Sequence, residues 1–236
     1  MKRQWLCAFF TNKRLRYSLT ALSLLFAAFA YELGDIGLRT GAFVFKVLAS
    51  AGFVCVAFSG KPDNRLAALA LFCGALGDVF TEVFVFFPQA VTPLFALGVL
   101  LFLTEHLLLI RFVRRHLAFG LGQGLSELLL FIPLSLLAWS RVRLGIPEKI
   151  LGLGYAGVLL YLIVVSGGFT LASGSLPAGL LCLGSILIFI SDAALALNHF
   201  TPLHAHWLGF LNYAAYYPGQ ICIALALGMN FPNVGK

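Results

Sequence analysis

Eight apolar stretches follow one another along the chain, at 17–33, 40–59, 65–86, 91–113, 118–140, 149–170, 177–199 and 205–228. A helix needs about 20 apolar residues, rising 1.5 Å each, to cross the hydrocarbon of a bilayer. Each stretch is close to that length. Between them stand short polar breaks: "ELGDIGLR", "SGKPDNR", "FPQAVTP", "RFVRRH", "RVRLGIPEK", "ASGSLP" and "NHFTPLHAH". Breaks this short make neighbouring helices antiparallel. The pattern predicts an all-α, polytopic membrane bundle: a basic segment at 1–16, one eight-helix transmembrane domain at 17–228, and a short tail at 229–236. Pro133 and Pro218 fall inside predicted helices and are expected to kink them.

Composition supports this picture. The 236 residues are 61% hydrophobic and 11% charged, with a mean hydropathy of +0.97. Soluble domains carry about 25% charged residues, so lipid is the solvent for most of this chain. The basic N-terminus followed by an apolar run resembles a signal peptide. No small-residue cleavage site is evident and seven more apolar segments follow, so a retained first helix is expected. Cys7, Cys55, Cys73, Cys182 and Cys222 are scattered without a C-x-x-C pair. They are expected to pack as free thiols.

The net charge of +7 does not point to nucleic acid, because the cations stand at helix ends. With the N-terminus inside, Lys2, Arg3, Lys13, Arg14, Arg16, Lys61, Arg65, Arg111, Arg114, Arg115 and Lys236 face the cytoplasm. Only Arg39, Arg141, Arg143 and Lys149 face out, while Lys46 lies within a segment. The positive-inside rule then puts both termini in the cytoplasm. A multi-pass protein of a bacterial inner (plasma) membrane is the expectation.

Charged side chains at bilayer depth cost about 2.5–3.5 kcal/mol each on insertion scales, and they mark cavities or partners. The candidates are Lys46, Asp78, Glu82, Glu105, His106, Glu127 and Asp192, accompanied by Asn198, Asn212, Tyr213, Tyr216 and Gln220. Depth sorts them. At 1.5 Å per residue, Asp78 stands about 20 Å above the inner end of its helix and Asp192 about 22 Å above its own. Lys46, on a helix running the other way, lies about 9 Å below the outer end. The three share one layer in the outer half of the bilayer. Asp78 and Glu82 share a helix face at i, i+4, as do Asn212, Tyr216 and Gln220. Two carboxyl groups close together in low dielectric do not both ionise, so one keeps its proton and can donate it.

Structural readings stand beside these. The aspartates can serve as an interhelical ion pair with Lys46, Glu82 as a solvated interfacial carboxylate, and the Asn212/Tyr216/Gln220 stripe as helix–helix glue. Glu105 and Glu127 are expected to cap or snorkel toward polar partners, and His106 to be a packing or hydrogen-bonding histidine. His199, His204 and His206 cluster in one loop but lack the helical spacing that preorganises zinc ligands, so no metal is expected. There is no phosphate-binding glycine loop, G-x-S-x-G elbow or dinucleotide fingerprint. A faint echo of "GALGDVF" and a Thr-Pro in "FISDAALAL" and a second Thr-Pro hints at a parallel duplication. It keeps a proton-coupled transporter or lipid-binding protein open as the alternative to an enzyme.

Five pieces together, "FVFKVL" (43–48), "GALGDVF" (74–80), "EHLLLI" (105–110), "IFISDAALALNHF" (188–200) and "YYPGQICIA" (216–224), resemble the lysoplasmalogenase-like (YhhN-type) integral membrane proteins. The resemblance covers roughly 40–228. It implies hydrolysis of the vinyl ether bond of lysoplasmalogens to a fatty aldehyde and glycerophospho-ethanolamine or -choline. The partners it implies are a lysophospholipid substrate and membrane lipid, with no cofactor. The polar set it carries over is Lys46, Asp78, His106, Ser191, Asp192, Tyr216, Tyr217 and Gln220. Asp78 and Asp192 are the candidate catalytic pair and the rest candidate substrate-binding residues, with Glu82 and Asn198 added from their own positions. The family's lysine is usually followed by proline, where Val47 stands here. Its histidine is usually preceded by glycine and followed three residues on by tyrosine, where Glu105 and Leu109 stand.

Overall fold

The structure, a computed structural model, describes residues 13–59, 65–83, 86–87, 91–116, 129, 131–133, 135–136, 140, 145–203, 205–232 and 234. Its long helices are α1 (Lys13–Asp35), α2 (Arg39–Phe58), α3 (Arg65–Glu82), α4 (Val91–Arg114), α5 (Ile146–Ser173), α6 (Leu176–Phe200) and α7 (His206–Leu227). The described residues contain no β-strand. The predicted helix at 118–140 lies outside them except at 129, 131–133, 135–136 and 140, which are helical.

Local chemistry sets the ends. Ser173 closes α5, and Gly174 follows at φ 57°, a left-handed turn that glycine adopts without strain. Its N–H bonds the Thr170 carbonyl. Ser175 then stands before α6, which opens with a proline in its first turn, where the missing N–H costs nothing. Gly37, at φ 82°, makes the sharp turn from α1 to α2. Two expected boundaries move by four residues, the others by less. α1 starts at Lys13, so the basic segment 1–16 ends inside a helix, and α3 stops at Glu82 rather than residue 86.

Among the described residues, five helices are long and apolar enough to cross a membrane: Lys13–Asp35, Arg39–Phe58, Pro93–Arg114, Lys149–Ser173 and Leu176–Phe200. The protein is a multi-pass, all-helical membrane protein. α3 and α7 fall short of that standard because they carry the polar residues, three charges on α3 and an Asn, Tyr and Gln stripe on α7. Both turn polar side chains toward neighbouring helices. α7 packs on α1, α2, α3 and α6, and buries Tyr216, Tyr217 and Gln220.

Small residues bring these helices together, as expected where lipid gives no hydrophobic drive. A Cβ added at Gly184 would stand 2.6 Å from the Gly219 carbonyl, so α6 and α7 touch backbone to backbone. α7 runs on through Pro218. At one end of the bundle Arg16 donates to Ser59 Oγ (3.2 Å), Ser59 O (3.2 Å) and Gly228 O (3.3 Å), tying α1 to the ends of α2 and α7. The tail is packed as well. Phe231 lies against Phe112 (4.9 Å between centroids), His116 and Phe169, and the Val234 N–H donates to the His116 carbonyl.

Candidate active site

Asp78 is 3% exposed on α3. Its Oδ2 accepts from Ser50 Oγ on α2 and from Tyr216 OH on α7 (3.1 Å), and Gln220 Nε2 in turn donates to Tyr216 (3.3 Å). The residue is thus fixed by two neighbouring helices at once. Tyr216 and Gln220, one turn apart on α7, act as the sequence spacing suggests. Asn212, the third member of that stripe, does not join them. Its Nδ2 donates to Ser191 Oγ (2.8 Å) and to the Ser191 carbonyl (3.2 Å), bonding α7 to α6. Ser191 is therefore a helix–helix contact beside Asp192.

Asp192, on α6, retains partial exposure. Its Oδ2 accepts from Tyr155 OH on α5 at 2.6 Å, and His106 Nε2 on α4 lies 3.0 Å from the same phenol. A chain His106–Tyr155–Asp192 thus crosses three helices. His106 is fully buried and bonded into this chain, in keeping with the reading of a hydrogen-bonding histidine. The two aspartates lie within electrostatic reach of each other, and each is held by its own tyrosine.

Lys46 does not pair with either aspartate. Its Nζ contacts Glu82 Oε1 at 2.7 Å and lies 5.7 Å from the centroid of the Tyr213 ring. This corrects the reading of an Asp–Lys ion pair: the i, i+4 neighbour nearer the helix end takes the lysine. Glu82 is accordingly a paired carboxylate rather than a merely solvated one.

Glu105 is a further correction. A snorkelling role needs an exposed head group, yet this side chain is 0% exposed. It fits because Gly74 faces it, and a Cβ on Gly74 would collide with the carboxylate. It lies within electrostatic reach of both Asp78 and Asp192. Its two oxygens, His106 Nδ1, Tyr217 OH and Gln220 Oε1 are buried without a hydrogen bond of normal geometry among the described residues, although Gln220 lies close to Glu105 and Ser50 close to Tyr217. Buried polar atoms are normally satisfied, so these atoms are a candidate site for binding a polar group.

Asn198 stands elsewhere. Its Oδ1 accepts from the Ala205 N–H (3.3 Å), and it lines a cleft of about 530 Å³ with Tyr31, Asp35, His206 and Tyr213. Glu127 and His204 lie outside the described residues. Among the described residues no three His, Cys, Asp or Glu side chains gather as a metal site.

Sequence reasoning missed Ser50 and Tyr155. Ser50 was within reach, one helical turn from Lys46 on the same face. Tyr155 carried no such signal, being a lone phenol in an apolar run.

A multi-pass helical bundle with carboxyl groups enclosed at the junction of its helices is the class of protein these features define. The family model of the YhhN family matches residues 41–227, well over half of the chain, and the protein belongs to that family. No curated protein and no solved structure matches it.

Proposed function

We propose that the protein is a lysoplasmalogenase, an integral membrane hydrolase that cleaves the vinyl ether bond of lysoplasmalogens. The observation that carries the reading is the pair of phenol-held aspartates, Asp78 and Asp192, with the buried carboxyl of Glu105 close to both. The family resemblance supplies the bond that this pair would cleave.

The chemistry matches the groups. A vinyl ether is activated by protonation of its carbon 2, which leaves an oxocarbenium ion at carbon 1. Water then adds to carbon 1 and gives up a proton to a carboxylate. The resulting hemiacetal loses its hydroxyl proton, the carbon–oxygen bond to glycerol breaks, and the glycerol oxygen takes a proton. One water is consumed; a fatty aldehyde and a glycerophospho-headgroup leave. Two carboxyl groups in different protonation states divide this work, as in glycoside hydrolysis.

Hydrogen bonds to a carboxylate favour its charged form. Asp78 accepts two and Asp192 one, so Asp192 is assigned as the proton donor and Asp78 as the base. Tyr216, Tyr217 and Gln220 would orient the water and glycerol oxygens, and Lys46 would meet the phosphate. The residues required for this scheme need no metal or organic cofactor.

Purified protein incubated with lysoplasmenylethanolamine should release fatty aldehyde. Asp78→Asn and Asp192→Asn should each lower turnover by about 10²–10⁴, the usual range for removing a general acid or base. Near-normal turnover in either variant sinks the assignment. Recovery of chemically intact lipid by mass spectrometry would favour a transporter.

The same reading proposes an eighth helix over 118–140 and a bacterial inner membrane with both termini cytoplasmic. Leu203, 49% exposed in the α6–α7 loop, is the position to label, since Thr201 is buried. In a cysteine-free background, Leu203→Cys should react with an impermeant reagent in intact cells. Reaction only after permeabilisation would invert the topology.

A further inference from the structure

The cleft beside the buried site has a lining suited to one ligand chemistry. Tyr31 forms its aromatic centre, edge-on to Tyr213 (5.6 Å), Phe210 (5.7 Å) and His206 (6.0 Å). Asp35 adds a carboxylate, and His206 Nε2 stands 2.7 Å from its Oδ1 and 3.2 Å from Tyr31 OH. With Nε2–H donated to Asp35, the imidazole orients the carboxylate, which remains 46% exposed. Aromatic faces beside an anionic oxygen are the surroundings an organic ammonium prefers, through cation–π attraction and direct charge pairing. Tyr213 also stands 5.7 Å from Lys46 Nζ, so the cleft and the Lys46–Glu82 pair share a ring.

We infer that this cleft binds the cationic amine of a lysophospholipid headgroup, while the phosphate lies toward Lys46 and the alkenyl chain enters the bundle. The inference rests on the proposed substrate and adds what selects it. Tyr31 and Asp35 belong to α1, outside the matched residues 41–227, so the selecting wall comes from a helix that precedes the matched span. Asn198 lines the same cleft and becomes a headgroup contact.

Binding is to be measured with non-cleavable 1-alkyl lysophospholipids of equal chain length, titrated into the purified protein. The phosphocholine and phosphoethanolamine forms should bind about tenfold more tightly than the lysophosphatidate, the difference one cation site supplies. Asp35→Asn removes the charge but leaves an oxygen for His206, and it should abolish the preference without lowering the melting temperature. Tyr31→Leu should abolish it too, and Tyr31→Phe, which keeps the ring, should restore it. Equal binding of the three lipids to the wild type overturns the inference, as does a preference that survives Asp35→Asn. Because these lipids cannot be hydrolysed, a failure of aldehyde release with the preference intact counts against the reaction alone.

Discussion

Glu105 is the residue whose position is least predictable and most consequential. A buried carboxyl without a partner costs several kcal/mol if charged. It is accommodated only because residue 74 has no side chain, and the two positions form one fitted unit across α3 and α4. Gly74→Ala should therefore destabilise the protein by about 1–3 kcal/mol, the usual cost of overpacking. Adding Glu105→Gly, the residue the family resemblance leads one to expect there, should recover most of that loss. Thermal melts of the two single variants and the double variant check the coupling, and additive losses would refute it. The charged and polar residues at depth were legible in the sequence, because lipid makes each one conspicuous. Their pairings were not. Lys46 had two acidic residues within one turn of each other to choose from, and only the packing of α2 on α3 decides that it takes Glu82.

Helices were easier to read than residues, since hydrophobic length alone specifies a span. Seven of the eight stretches correspond to described helices whose ends differ from expectation by a few residues. The slips are largest at the start of α1 and the end of α3, and on α3 the apolar run continues after the helix has ended. Val83 leads into a turn closed by the Phe86 N–H on the Val83 carbonyl, and the following Pro88 disfavours helical backbone before it. Periodicity could not show which faces meet. α6 and α7 cross where Gly184 and Gly219 abut, and that crossing sets where Tyr216 and Gln220 stand relative to Asp78. Gly184→Val should force the helices apart, lower the melting temperature, and reduce aldehyde release by tenfold or more while the protein still inserts. Normal activity in a stably inserted variant would show that the Asp78 site tolerates movement of α7.

Across the whole molecule, described residues near both ends of the chain are part of the packing. In the short tail after residue 228, Phe231 inserts between Phe112, His116 and Phe169 and so joins that segment to α4 and α5. Arg16 makes the corresponding tie at the start, bonding α1 to α2 and to Gly228. Truncation after Gly228 should lower the melting temperature in detergent by several degrees, and Phe231→Ala should reproduce most of the loss. An unchanged melt in both would mean that these contacts contribute nothing to stability. No sequence signal announced either tie, because both depend on elements far apart in the chain meeting at one end of the bundle.

The aspartate held by Tyr155 has an isotopic consequence. In the proposed reaction its proton becomes a carbon-bound hydrogen of the product, and the carboxyl group must be reloaded before the next cycle, ultimately from water. Turnover in heavy water should therefore yield aldehyde carrying one deuterium at carbon 2, visible as a mass increase of about one unit once the product is reduced to the alcohol to prevent exchange. Transfer of that hydron to carbon should also slow turnover in heavy water if it limits the rate. Unlabelled aldehyde would mean that the bond is broken by some route other than protonation of the alkene.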